Sequence, residues 1–389
     1  MKHHIGRRMT LTLALGLGLG LGLGTLPVAV SAQPKGEPFR VAVLIALSGP
    51  AAAYGAEERR VIEAVMERTN AAGGINGRPI ELIVRDTKTN PTEAARLANQ
   101  VILDDKVIAI IGATTGSETL AFADLAMRSK VPVFAMVGTQ SVTDPKEAYS
   151  KWVFRMSVPI STDLPASRDR IVADGHKRLA VFSEEDAYGQ QSSAMVVQIS
   201  KEKKDLEIVE NTSAPKAATD LTAQATTIRN SKPDAVFLAT SSTGSAGALL
   251  RKLQEVGLNV PVYGMAGIVQ KQIIKSGGKA AENLIAPALV NPDEAGPLTD
   301  LFDLLKNKGG VDGFGALLGA NAAATVVQAL KAGATDGPSL RDKVETMGPI
   351  KGYAAAPIRF SPTDHDSWGK ETLIYVTVRD GKFKNLAAK

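Results

Sequence analysis

Short apolar runs alternate with charged, amphipathic stretches along most of this chain. The runs at 40–47 (RVAVLIAL), 80–86 (IELIVRD), 107–112 (VIAIIG) and 131–136 (VPVFAM) are rich in Val and Ile. They lack the period-two alternation of a half-wet strand, so they predict strands buried on both faces. Helical patterns lie between them, at 57–70, at 91–105 with Pro91 suited to a first turn, and from Ser117 onward. Strand, helix, strand in this order implies right-handed crossovers and a parallel sheet. The rhythm restarts near Trp152. Helices are expected at 161–175, 190–203, 220–231 and 245–257, and strands at 178–186, 206–211, 235–240 and 260–265. The last hundred residues hold helical patterns at about 297–307, 314–333 and 339–346, and late strands at 357–361 (PIRFS) and 372–381 (TLIYVTVRDG). They are too few and too helical for a third unit. The chain is therefore expected to return and complete two α/β units joined by several crossing segments.

The N-terminus changes the picture of where the protein works. Lys2, Arg7 and Arg8 precede an apolar stretch from Met9 to Leu26, and Val30, Ser31 and Ala32 offer small residues for cleavage. Residues 1–32 are predicted to be a signal peptide cleaved near Ala32, giving an exported, periplasmic protein. A membrane anchor is the rival reading, but the many glycines of the stretch disfavour a permanent spanning helix. Arg7-Arg8 matches a twin-arginine signal poorly, so the general export route is favoured. Removing this segment takes away three basic residues and no acid, so the formal charge falls from +5 to +2. No basic excess remains to suggest nucleic acid. Cysteine is absent, which excludes a lipidated N-terminal cysteine and any thiolate metal site.

Several chemistries fail for want of residues. The stretch SGPAAAYG (48–55), between the first strand and its helix, carries neither the third glycine of a dinucleotide fingerprint nor the Lys of a P-loop. There is no H-E-x-x-H and no G-x-S-x-G. Asp364-His365-Asp366 reads as a solvated polar turn and His176 as a cation at a helix end. No catalytic residue, metal or cofactor is expected.

In open α/β sheets, ligands sit beyond the carboxyl ends of the strands. The loops there offer Ser48 and Tyr54 after the first strand, Ser117 as a helix cap and N–H donor after the third, and Thr139 and Ser141 after the fourth. In the second unit they offer Asp186 and Tyr188, the hydroxyls of 240–243, and the small and apolar residues of 263–270. Each residue alone has an ordinary role as a cap, turn or packing group. Together they suit a small carboxylate with an apolar body, and with no Lys or Arg in these loops they do not suit a polyphosphate.

The sequence resembles the periplasmic solute-binding proteins of branched-chain amino-acid-type ABC transporters, the type I Leu/Ile/Val-binding family. The resemblance rests on the S-G-P…Y-G stretch, N-x-x-G-G-I-x-G-R at Asn70 to Arg78, WVFRMSVP (152–159), DAYGQ (186–190) and PIRFSPTDHD (357–366), and runs from about Phe39 to Lys384. It implies an α/β fold of two Rossmann-like lobes joined by a three-segment hinge. The N-terminal lobe would take 39–156 plus 288–351, and the C-terminal lobe 157–287 plus 352–389. It also implies a monomer that hands a small-molecule ligand to a membrane ABC permease. The family's carboxylate grip falls on Thr115-Gly116-Ser117, with Ser117 expected to be the hydroxyl that holds the carboxylate, Gly138 and Thr139 beside it, and Tyr54 and Tyr188 as aromatic walls. The acid with which amino-acid binders meet the ligand ammonium would lie at Met265 or Ala266, where none stands. Ser241 and Ser242 replace the large tyrosines of the leucine binders. Unless Asp186 reaches in, an ammonium would be buried unpaired at a cost of roughly 3–5 kcal/mol. The expected ligand is therefore an amine-free carboxylate, aromatic or 2-oxo. A hydrophobic amino acid is the alternative, and a ligand sensor or a Ser117 hydrolase are the rival functions.

Overall fold

The computed structural model describes residues 35–216 and 218–387, so the expected signal peptide lies outside the described residues. The first sheet is built from β1 (Phe39–Ile45), α1 (Ala52–Ala71), β2 (Ile80–Asp86), α2 (Pro91–Leu103), β3 (Ala109–Gly112), α3 (Gly116–Arg128), β4 (Val133–Ala135) and β5 (Val153–Arg155). Its strands run in the order β2-β1-β3-β4-β5 and are parallel throughout. Successive residues of β1 enter opposite cores, as a doubly covered strand requires. Val41, Val43 and Ile45 pack with Val61 and Val65 of α1, whereas Ala42 and Leu44 pack with Leu97 of α2 and Phe122 of α3.

The second sheet follows with α4 (Ile160–Ala173), β6 (Arg178–Glu184), α5 (Ala187–Lys203), β7 (Glu207–Ala214), α6 (Thr222–Asn230), β8 (Ala235–Ala239), α7 (Thr243–Glu255), β9 (Val262–Gly264), α8 (Lys271–Gly277) and β10 (Ile285–Ala288). The chain then crosses back to place α9 (Thr299–Leu305), α10 (Phe314–Lys331) and α11 (Gly337–Thr346) on the first sheet, where α10 lies against α1. It crosses once more to end as the hairpin β11 (Ile374–Arg379) and β12 (Lys382–Leu386), giving the order β12-β11-β10-β9-β8-β6-β7. The two-lobed α/β architecture is the one the periodicity predicts.

Three details depart from the expectation. PIRFS forms no strand; only the bridges Ile350–Ile358 and Ser361–Asp364 appear there. Pro357 and Pro362 flank it and cannot donate to a ladder. Residues 352–368, expected in the second lobe, place Tyr353, Ile358, Phe360 and Trp368 in the core of the first. In the Asp364-His365-Asp366 turn Asp364 is exposed as expected, but the histidine is not solvated. His365 is buried between Ser150 O and Val153 O (both 3.0 Å from Nδ1) and the Glu345 carboxylate, 3.1 Å from Nε2.

Candidate ligand-binding cleft

The two lobes enter the cleft by the same device. Helix α1 starts at Ala52, earlier than the periodicity suggests, so Tyr54 lies in a helical first turn and not in a loop. A Cβ on the next residue, Gly55, would fall 1.9 Å from Ala46 O, just past the end of β1. In the second lobe Tyr188 occupies the first turn of α5, and a Cβ on Gly189 would fall 2.2 Å from Glu184 O at the end of β6. In each case glycine lets the helix sit on the strand end, and the tyrosine before it lines the cavity. Both rings are buried, and burial, reinforced by nearby acids, keeps both phenols protonated. Tyr188 Oη donates to Met265 Sδ at 3.5 Å, while Tyr54 Oη has no partner.

The first lobe adds the amino end of α3. Thr115, not Ser117, caps that helix, and its hydroxyl closes a capping box with Glu118. Gly116 comes next because Thr139 lies against it: a Cβ there would meet Thr139 Oγ1 at 1.9 Å. Thr139 is fully buried, and its hydroxyl has no partner. The backbone around it is held by Arg155, whose side chain is wholly buried. Nη1 donates to Gly138 O (2.8 Å) and Thr139 O, Nη2 to Gln140 O (3.0 Å) and Thr143 Oγ1, and Nε to Asp366 Oδ1 (2.7 Å). Beneath the same turn Thr114 donates to Glu58 Oε2 at 2.6 Å. Burial pushes the Glu58 carboxyl up to about 8 and that of neighbouring Glu57 to about 7.

The second lobe contributes two charges. Asp163, near the start of α4, is buried and accepts from Ala266 N with both oxygens (2.9 and 3.2 Å). Burial, only partly offset by that N–H, raises its carboxyl to about 7. Lys216, after β7, donates to Asp186 Oδ2 (2.5 Å) and Ser241 Oγ (3.3 Å). Burial opposes its charge, but Asp186 and Glu184 outweigh that effect and hold its pKa above the ordinary lysine value. The cavity between the lobes offers about 570 Å³ free of protein atoms, part of it open to solvent. Met136, Val137, Val158 and Phe314 supply apolar wall.

Of the residues singled out from sequence, Tyr54, Thr115, Gly116, Gly138, Thr139, Tyr188, Ser241 and Ser242 line this one cavity. The others have different partners. Ser48 is exposed and donates to Asp86 Oδ2 at 2.7 Å. The Ser117 hydroxyl accepts from Ala187 N of the opposite lobe at 3.2 Å. Asp186 caps α5 through Gly189 N and pairs with Lys216, so it is not free for a ligand ammonium. Met265 and Ala266 are buried behind the lining, against Tyr188 and Asp163. Sequence reasoning missed Asp163, Lys216 and Phe314. The strand-end loops were taken to be free of Lys and Arg, yet Lys216 follows β7 at just such an end. The charged pair Asp186…Lys216 was legible only as two unrelated residues.

Further bonds cross between the lobes. Gln191 Oε1 accepts from Gln140 N (2.9 Å) and Ser141 N (3.3 Å), and its Nε2 donates to Ser141 Oγ (2.9 Å). Lys271 N donates to Asp312 O, and Phe314 N to Val269 O. Among the described residues no group of His, Cys, Asp and Glu could hold a metal, and no helix is long and apolar enough to cross a membrane.

A family profile described as "Periplasmic binding protein" matches residues 38–382. The Leu/Ile/Val-binding protein of Escherichia coli K12 is 25% identical over 286 residues, 73% of this chain and 76% of that protein. Among solved structures, an extracellular ligand-binding receptor from Rhodopseudomonas palustris HaA2 superposes with a TM-score of 0.82 at 23% identity, covering 90% of this chain and 100% of that one. A solute binding protein of an ABC transporter from Rhodopseudomonas palustris BisB5, in complex with 3,4-dihydroxybenzoic acid, superposes with a TM-score of 0.76 at 25% identity, covering 90% and 96%.

Proposed function

The chain belongs to the periplasmic binding protein family, and from that premise we propose that its cleft takes one small amine-free carboxylate, an aromatic or 2-oxo acid. It is a solute-binding protein of ABC-type transport and not an enzyme; proteins of this family bind small molecules and deliver them to ABC permeases. The reading includes export to the periplasm and a monomeric receptor. The observation that carries the ligand class is the pair of buried, unpartnered hydroxyls, Thr139 Oγ1 and Tyr54 Oη, beside the amino end of α3. Buried donors without acceptors cost stability until something accepts from them, and a carboxylate does so well. The apolar wall suits a ring or branched body. The complex of the BisB5 protein with a dihydroxybenzoic acid supports this reading.

A second reading, a branched-chain amino acid, has one observation of its own. Asp163 lines the cavity and could face an ammonium, and the Escherichia coli relative is a Leu/Ile/Val-binding protein. Against it, Asp163 already accepts from Ala266 N, and its raised carboxyl is a weak counter-charge near neutral pH.

Thermal unfolding and calorimetry with leucine, 4-methyl-2-oxopentanoate, benzoate and 3,4-dihydroxybenzoate separate the two. A ligand present at a hundred times its Kd adds about 2.7 kcal/mol, or roughly 3–4 °C in Tm for a chain of this size. The acids are expected to stabilise and leucine is not. Stabilisation by leucine alone, abolished in D163N, would replace the first reading with the second.

A further inference from the structure

We propose that Lys216 is the residue with which the second lobe grips the ligand's anionic group, so that one carboxylate is held from both lobes at once. The first lobe supplies uncharged donors, Thr139, Tyr54 and the amino end of α3, and the second supplies an ammonium. The inference rests on the carboxylate reading above and deepens it: the preferred ligand carries a net negative charge.

Lys216 lines the cavity and keeps 13% of its side chain exposed. Its ammonium has three hydrogens. Asp186 Oδ2 at 2.5 Å and Ser241 Oγ at 3.3 Å use two of them. Glu184 Oε2 stands at 3.6 Å, an ion pair longer than a hydrogen bond. The simplest alternative is a lysine that only neutralises its own lobe's acids. That account leaves the third ammonium hydrogen without a hydrogen-bond acceptor. Asp186 and Ser241 hold the nitrogen at the cavity wall, where a ligand can supply that acceptor.

Its position relative to the other lobe agrees. Glu118, whose carboxylate bonds Thr115 N (3.1 Å) and Thr115 Oγ1 (2.6 Å), is close enough to favour the Lys216 charge. Lys216 lines the same cavity as Thr115 and Gly116 at the start of α3 and as the unpartnered Thr139 and Tyr54. An anion there would meet the helix amino end on one side and an ammonium on the other, in a site largely closed to water, where both attractions are strong.

The test compares 3,4-dihydroxybenzoate with its neutral counterpart 3,4-dihydroxybenzamide by calorimetry. Wild-type protein is expected to favour the carboxylate, and K216M to lose roughly 10- to 100-fold of that preference while holding the amide nearly as before. K216R should retain most of it. Because K216M leaves two acids without their cation, K216M/E184Q is measured alongside as the better-folding background. A folded K216M/E184Q with the wild-type carboxylate-to-amide ratio would overturn the role of Lys216 alone. So would a wild-type protein that binds the amide as tightly as the acid. Wild-type protein that binds neither aryl nor oxo acids would overturn the ligand class itself, and this proposal with it.

Discussion

Arg155 offers the sharpest test of how this cleft is built. Its guanidinium is the shared partner of three consecutive carbonyls, at Gly138, Thr139 and Gln140, and of the Asp366 carboxylate. Replacing it by Met removes every one of these bonds. Gly138 O keeps Ile160 N and Thr139 O keeps Val142 N as donors, so the loss is Gln140 O orphaned at about 1–3 kcal/mol plus two shared bonds at about 1 kcal/mol each, about 3–5 kcal/mol before relaxation. Asp366 adds little, since 29% of its side chain is exposed and water can reach it. That loss is a large part of the stability of an ordinary domain, about 5–15 kcal/mol, so R155M is expected to be clearly destabilised. R155K is the informative variant. It keeps the charge but has no planar fork, and one ammonium cannot reach three carbonyls and a carboxylate. We expect R155K to lose about 2–4 kcal/mol in urea unfolding, and D366N, which keeps an acceptor for Nε, about 1 kcal/mol. Ligand affinity should fall with R155K, because Thr139 moves with the backbone that Arg155 holds. A lysine variant within about 1 kcal/mol of wild type, or one that binds the ligand unchanged, would refute this account of the loop.

Other substitutions probe different parts of the cleft. G116A should abolish ligand binding, read by calorimetry, because the new methyl displaces Thr139; the fold should survive, since the clash is with one side chain. Q191L should leave overall stability within about 1 kcal/mol but speed ligand release in stopped-flow, because it removes three bonds that span the lobes. The buried acids give a pH dependence of definite sign. Asp163 has its folded pKa raised to about 7. Its contribution is therefore fully present below its unfolded value and is lost as pH rises through about 7, and Glu57 and Glu58 act in the same direction. Tm should decline from pH 5 to pH 8, and D163N should flatten part of that slope, by up to about 2.7 kcal/mol for the two units between pH 5 and about 7, at about 1.36 kcal/mol per unit.

Much of this architecture was legible in the chain because the strands are doubly buried. Val41, Val43 and Ile45 are needed by one core and Ala42 and Leu44 by the other, so the run is apolar throughout and announces itself. The Tyr-Gly pairs were also readable, although their reason, a helix resting on a strand end, is a matter of packing. Lys216 and Asp163 were not readable. Each is an ordinary charged residue in an ordinary polar segment, and only the fold brings them beside Ser241 and Ala266. The burial of His365 and the pairing of Asp366 escaped for a similar reason. Their partners, Arg155 and Glu345, lie far away in sequence, so local polarity read as solvation.

The attachment of Asp366 to Arg155 also bears on how the cleft moves. The third crossing is packed into the first lobe as far as Trp368 and joins the second sheet at Ile374. Through Arg155 it is fastened to the backbone of 138–140, so it travels with the recognition loop. Bending of that crossing is therefore expected to concentrate in 369–372, where no residue is buried, ahead of Leu373, which packs against the first core.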